Sequence, residues 1–495
     1  MESPPGVFYV PRTGGRSRPR ANGRHRRGCA TSPNRFRAAN PLGLILVLVS
    51  ASAAASPAAA EAAPSPVPVP QVDGPVPGAP PGDPESGDLE NTYPYFASTE
   101  NLDAYGYVEE EFFVSGTAGV YEDGETVSEH PYTTRIVVRR PERERRSNGT
   151  ALMEWQNVSA GHDLDALWAP SAGHIMRSGY TWVGVSAQDV GVSHLKEWSP
   201  TRYGGLDVTD GGAVDDDRLS YDVFSQAAQA VRTGEAGVTG GVGVDTVLAI
   251  GASQSAGRMT AYYDRVLPHI EPVFDGYGFM VGTAPQGDRP EPVFQVNSET
   301  DAAWNPAPHE DSDTFRLWEV AGAAHSGWAG REARAEVEER DLGGQADVDC
   351  TEPPFSRVPL EHALNASYDH LDAWARSGTP PPTAPRLTRT DRGRLARGDD
   401  GLALGGVRLS QIAAPTALNT GINTPAGGTE TDGFCVLFGT HVPYSEDELA
   451  ELYPTRGSYI RSVVETDDGN VRDGYITRRD AAANRHDALW SGIGG

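Results

Sequence analysis

The run Thr246-Val247-Leu248-Ala249-Ile250-Gly251-Ala252-Ser253-Gln254-Ser255-Ala256-Gly257-Arg258-Met259 passes from apolar, β-branched residues through small ones into a helix-compatible segment. It reads as a buried strand, a sharp turn and a helix, with Ser253 at the apex. A serine at such an apex is held in a strained backbone conformation, which the small residues Gly251 and Ser255 leave room for. Its hydroxyl then projects from the strand tip. The amide of Gln254 opens the following helix at the positive end of its dipole, where it can hydrogen-bond an oxyanion. The arrangement suits attack on an acyl carbon. A serine that only caps a helix after a core strand would leave the same local trace, so the surrounding chain has to decide.

On the N-terminal side, Tyr221 to Arg232 carries Val223, Ala227, Ala230 and Val231 on one helical face. Before it come the strand Thr181–Ser186 and an irregular stretch to about residue 219, long enough to cover or line a pocket. The acidic run Asp215-Asp216-Asp217 in that stretch fits no calcium-loop spacing and reads as a solvated charge run. Strand Ala151–Trp155 leads into the polar loop Gln156–Gly161, whose Asn157 and Val158 amides are both candidates for a second oxyanion donor. Tyr107–Tyr121 and Tyr132–Arg139 read as the antiparallel start of the sheet. Strands alternating with helices predict a mostly parallel, doubly wound sheet.

On the C-terminal side, the strands Val273–Val281 and Val293–Asn297 are joined by about a dozen residues, little room for a crossover helix and a large cap. The second strand runs into Ser298-Glu299-Thr300-Asp301, and the strand Phe315–Val320 into Ala321-Gly322-Ala323-Ala324-His325. Three strand ends thus carry a serine, a carboxylate and a histidine in that chain order. This is the order used by α/β-hydrolases and not by the chymotrypsin-like or subtilisin-like proteases. Asp301 is preferred as the acid because it lies in the turn beyond the strand. Glu299, read as still within the strand, is the alternative, with Asp311 and Asp313 next in line.

With these residues in hand, the chain resembles a bacterial group of alpha/beta hydrolase domain-containing proteins with an elbow of the form Gly-x-Ser-Gln-Ser. The resemblance rests on Ala151–Ser159, Tyr221–Ala227, Gly251–Gly257, Glu299–Asp301, Phe315–His325, Gly405–Leu409 and Phe434–Gly439. It covers roughly residues 90–490 and implies an α/β-hydrolase fold. It also implies Ser253 as nucleophile, His325 as base and a carboxylate from Glu299-Thr300-Asp301, without implying a substrate.

Composition narrows the field. The chain carries a formal charge of −27, and its one basic segment is residues 1–40, so nucleic acid is not an expected partner. That segment precedes Pro41–Val49 and an alanine-rich stretch, the order of a secretory signal over residues 1–60. If uncleaved, residues 41–60 would act as a membrane anchor. Residues 61–90 read as a Pro/Ala-rich disordered linker, 91–345 as the hydrolase core, and 346–495 as a C-terminal extension packed on it. Lys196 is the only lysine, which removes a P-loop and a Ser-Lys dyad. Cys350 and Cys435 are the only cysteines outside the signal segment and are expected to form a disulfide, and no metal or organic cofactor is called for.

These readings converge on a secreted or extracytoplasmic serine hydrolase acting on a small-molecule carboxylic ester. Its rival is a catalytically silent hydrolase scaffold used for binding. The sequence leaves the oligomeric state open.

Overall fold

The computed structural model describes residues 64–78, 93–122, 125–305, 309–427 and 433–494. The signal and anchor reading of residues 1–60 lies outside them. Nine strands form the main sheet: β1 (Gln71–Asp73), β2 (Tyr107–Glu122), β3 (Glu125–Pro141), β4 (Thr150–Trp155), β5 (Thr181–Val185), β6 (Thr246–Ala252), β7 (Gly276–Met280), β8 (Val293–Ser298) and β9 (Phe315–Val320). Their order is β1-β2-β3-β5-β4-β6-β7-β8-β9. β1, β2, β3 and β5 pair antiparallel in turn, and the strands from β5 through β9 are parallel.

β6 is buried along its whole length, as expected of a strand covered on both faces. Alternation sends its side chains to opposite layers. Val247 and Ala249 join a core with Phe224, Ala227, Met259 and Tyr262 from the helices Ser220–Thr233 and Gln254–Arg265. Leu248 and Ile250 join a second core with Ile175 and Met176 of the helix Trp168–Ser178 and Leu371 and Trp374 of the helix Leu360–Ser377. That last helix lies on the sheet itself, so the segment after residue 345 contributes one of the covering layers. The described residues form one compact unit.

Four readings are corrected. The segment 61–90 is not wholly a linker: Gln71–Asp73 pairs with β2 as the edge strand, with Val72 buried. Prolines on either side hid it, but an edge strand needs partners on only one side. The stretch after Ser186 is not irregular throughout, since it opens with the helix Asp189–Trp198. Asp217 is not simply solvated: it accepts from the Asp189 amide at 2.7 Å and from Arg258 of the elbow helix at 3.0 Å. Glu299 is not in the strand, because Ser298 caps a helix, Glu299–Trp304, that begins there. The connection from β7 to β8 holds no helix.

Beyond the sheet, β10 (Ala417–Thr420) and β11 (Thr440–Pro443) make a small antiparallel pair, followed by the helices Glu446–Leu452, Arg456–Asp473 and Arg478–Trp490. Among the described residues no helix is long and apolar enough to cross a membrane.

Candidate active site

Ser253 stands between β6 and its helix with φ 56° and ψ −115°, a strained conformation for a residue with a side chain. Its amide donates to the Met280 carbonyl at 3.0 Å, fixing the elbow against β7. Gly251 leaves room for the turn: a Cβ would lie 2.6 Å from the Met259 sulfur and 3.2 Å from the Ala256 nitrogen, so the Met259 side chain would have to shift. Ser255 has its own task, since its hydroxyl accepts from the Ala252 amide and donates to the Ala252 carbonyl, both at 3.0 Å. It therefore closes the turn from within.

β6, β8 and β9 run parallel and end at the same edge of the sheet, where Ser253, Asp301 and His325 follow them. Asp301 occupies the third position of the helix after β8 and shares a capping box with Ser298. One of its oxygens accepts from the Ser298 hydroxyl at 2.5 Å, and the other meets His325 Nδ1 at 2.8 Å. The His325 amide donates to Thr300 Oγ1 at 3.0 Å, which sets the backbone as well as the ring. Burial alone would push the imidazole pKa down, but the adjoining Asp301 carboxylate more than offsets this and holds it above the ordinary value.

Glu299 points elsewhere, as expected of helix residues two apart. Fully buried, it accepts from the Gly322 amide at 2.7 Å and pairs with Arg397 at 2.5 Å. It fastens the turn leading to His325 to the C-terminal third. Asp311 is engaged with Arg386 at 2.7 Å.

The two loop amides differ in availability. The Asn157 amide donates to the Leu164 carbonyl at 3.2 Å, while its side chain donates to the Ala252 carbonyl at 2.9 Å and ties the loop to the elbow. The Val158 amide faces the elbow helix and meets Gln254 Oε1 at 3.3 Å. The Gln254 amide heads that helix, where a first-turn N–H has no intrahelical acceptor.

Cys350 and Cys435 form a disulfide. It anchors the short helix Cys435–Phe438, whose Leu437 carbonyl accepts from the amide of Ser326, next to His325, at 2.9 Å.

Three residues missed in the sequence support this edge. Glu154, buried on β4, accepts from the Leu167 and Trp168 amides and from Trp182 Nε1, and burial pushes its carboxyl up to about 8. Gln188 and Thr300 are the others. An acidic residue inside an otherwise apolar strand was a usable signal for Glu154; Gln188 and Thr300 left none. Among the described residues no cluster suits a metal ion. A cavity of about 530 Å³ opens at the opposite edge, beside Val293 and Phe315 at the starts of β8 and β9, and is lined by neither Ser253 nor His325.

A doubly wound sheet with a strained serine after one parallel strand and a paired histidine and aspartate after two others defines an α/β-hydrolase. The chain matches the alpha/beta hydrolase domain family over residues 72–486 and belongs to that family. Among solved structures it is similar to the rice cell wall degrading esterase LipA from Xanthomonas oryzae, at 17% identity and TM-score 0.23, over 37% of this chain and 47% of that one. It is also similar to XC6422 from Xanthomonas campestris, titled a serine hydrolase without lid, at 16% identity and TM-score 0.26, over 47% of this chain and 96% of that one. A third is the methylesterase BT1017, at 12% identity and TM-score 0.28, over 48% and 56%. The match thus spans about half the length of LipA and of the methylesterase. No curated protein matches the chain.

Proposed function

We propose that this protein is an exported serine hydrolase that cleaves carboxylic esters through Ser253, His325 and Asp301. His325 takes the proton from Ser253 as its oxygen attacks the ester carbonyl, and the amides of Gln254 and Val158 hold the resulting oxyanion. Collapse expels the alcohol, which receives that proton from His325. Water, deprotonated by His325, then releases the acid from the acyl-enzyme. Asp301 keeps the imidazole oriented and stabilises its charged form.

The observation that carries this reading is the 2.8 Å contact of His325 Nδ1 with Asp301 at the sheet edge that also bears the strained serine. Export is supported by the disulfide and by the basic-then-apolar order of residues 1–60. The test is labelling with a fluorophosphonate probe, peptide mapping of the label, and an aryl-ester screen, each repeated on Ser253→Ala. Labelling and turnover that vanish in the folded variant support the reading. A variant with wild-type turnover would remove Ser253 from the chemistry, and no labelling of the wild type would favour a silent binding scaffold.

A further inference from the structure

Gln188 follows β5 and is fully buried, yet the reaction outlined above gives it nothing to do. Its carboxamide and that of Gln254 meet reciprocally: Gln254 Nε2 donates to Gln188 Oε1 at 2.5 Å, and Gln188 Nε2 donates to Gln254 Oε1 at 3.1 Å. Gln188 Nε2 also donates to the Gln156 carbonyl at 3.2 Å. On its far side Gln254 Oε1 accepts from the Val158 amide. The contacts close a ring. They run from the loop backbone at Gln156, through two side chains, back to the same loop two residues later.

Gln188 is fully buried and Gln254 partly so, and a buried carboxamide is costly unless its donors and acceptor are matched, so a pair used only for packing would serve better as apolar residues. The ring has a property that packing does not require. The Val158 amide rests on a neutral acceptor at 3.3 Å, a long hydrogen bond, whereas an oxyanion offers a charge-assisted bond roughly twice as strong. When the oxyanion takes that amide, Gln254 Oε1 loses one donor but keeps the other, Gln188 Nε2, so this partly buried acceptor retains a protein partner. Without Gln188 the exchange would leave it none.

We infer that Gln188 is a positioning residue of the oxyanion hole. Through Gln254 it aims the Val158 amide at the elbow in the resting enzyme and keeps the Gln254 carboxamide satisfied once the amide is engaged. This rests on the proposal that Ser253 is the nucleophile and Val158 an oxyanion donor.

The experiment uses the full chain, with Gln188→Met, which keeps the length and removes the hydrogen bonds, and Gln188→Glu, which keeps one acceptor and removes both donor bonds. Fluorophosphonate labelling rate at Ser253, kcat and KM for an aryl ester, the pH midpoint of kcat/KM, and thermal unfolding are measured. The expected result is a fall of about 10–100-fold in kcat and labelling rate, less than the loss from deleting an oxyanion donor outright. KM and the pH midpoint should hold, because His325 is untouched. If Gln188→Met does not fold, Gln188→Glu carries the test. Wild-type kcat in a folded variant, or a change confined to KM, overturns the inference and leaves the proposed function standing. An unlabelled wild type overturns both.

Discussion

One oxygen of Asp301 lies 2.8 Å from His325 Nδ1, and the other is committed to Ser298, so the carboxylate has a single orientation to offer the ring. Asp301→Asn should therefore lower kcat by about ten-thousand-fold, as in the serine-protease precedent, without loss of fold. Glu299→Gln should behave in the opposite way. Turnover falls little, while stability drops by about 2 kcal/mol, below the range for a pair buried on both sides because Arg397 keeps some solvent. Steady-state kinetics and thermal unfolding of both variants check this, and the reverse ranking would reassign the acid.

The pH dependence has two opposed slopes. His325 must be neutral to accept a proton, so kcat/KM should rise with pH through a midpoint above the ordinary imidazole value of about 6.5, given the raised pKa. Stability runs the other way. A pKa raised in the folded state means that the Asp301–His325 pair stabilises fully below the unfolded value and loses that contribution as pH rises through the folded one. The thermal advantage of wild type over His325→Ala should shrink across that window, and in Asp301→Asn the kinetic midpoint should fall. A wild-type midpoint at or below the ordinary value would count against the pairing.

Ser255 gives a test of the elbow apart from its nucleophile. Ser255→Ala leaves the buried Ala252 amide without its acceptor, which should cost about 1–3 kcal/mol. Denaturant unfolding reads the cost directly, and an unchanged midpoint would show that the amide finds another partner.

The disulfide spans 85 residues, so opening it should remove about 4–5 kcal/mol in the chain-entropy model. Because the helix it anchors also holds Ser326, beside His325, turnover should fall on reduction at temperatures where the protein is still folded. Thiol titration before and after reductant, with activity followed in parallel, checks both effects. Two free thiols in the unreduced protein would sink the idea.

Much of this architecture was legible because burial writes itself into composition: β6 is almost wholly apolar, and β3 carries the β-branched run Ile136-Val137-Val138. Candidates for the site were legible because each follows a strand, where a parallel sheet gathers its loops. Strand order was not, since nothing local tells β5 to insert between β3 and β4. The helix Asp189–Trp198 escaped because Val190, Gly191 and Val192 have poor helix propensity that tertiary packing overrides. The separate fates of Glu299 and Asp301 depended on Ser298 capping a helix that the sequence pattern did not suggest. Gln188 was invisible, because a glutamine after a strand looks like any loop residue until its partner is known.

The short strand β1 and the segment around Val407 do for the sheet what neither could do alone. β1 occupies the outer side of β2 at Phe113–Ser115, and Val407 exchanges hydrogen bonds with Glu319 and Ala321 at the far side of β9 while Arg386 takes the Leu317 carbonyl. Open strand edges invite pairing between molecules. Here β1, from ahead of the long strands, and the Val407 segment, from after β9, each blunt part of an edge, which shortens the backbone over which one copy could continue its sheet into another. Trimming residues 64–78 would reopen the β2 edge to a neighbouring molecule while leaving Ser253 and His325 where they are.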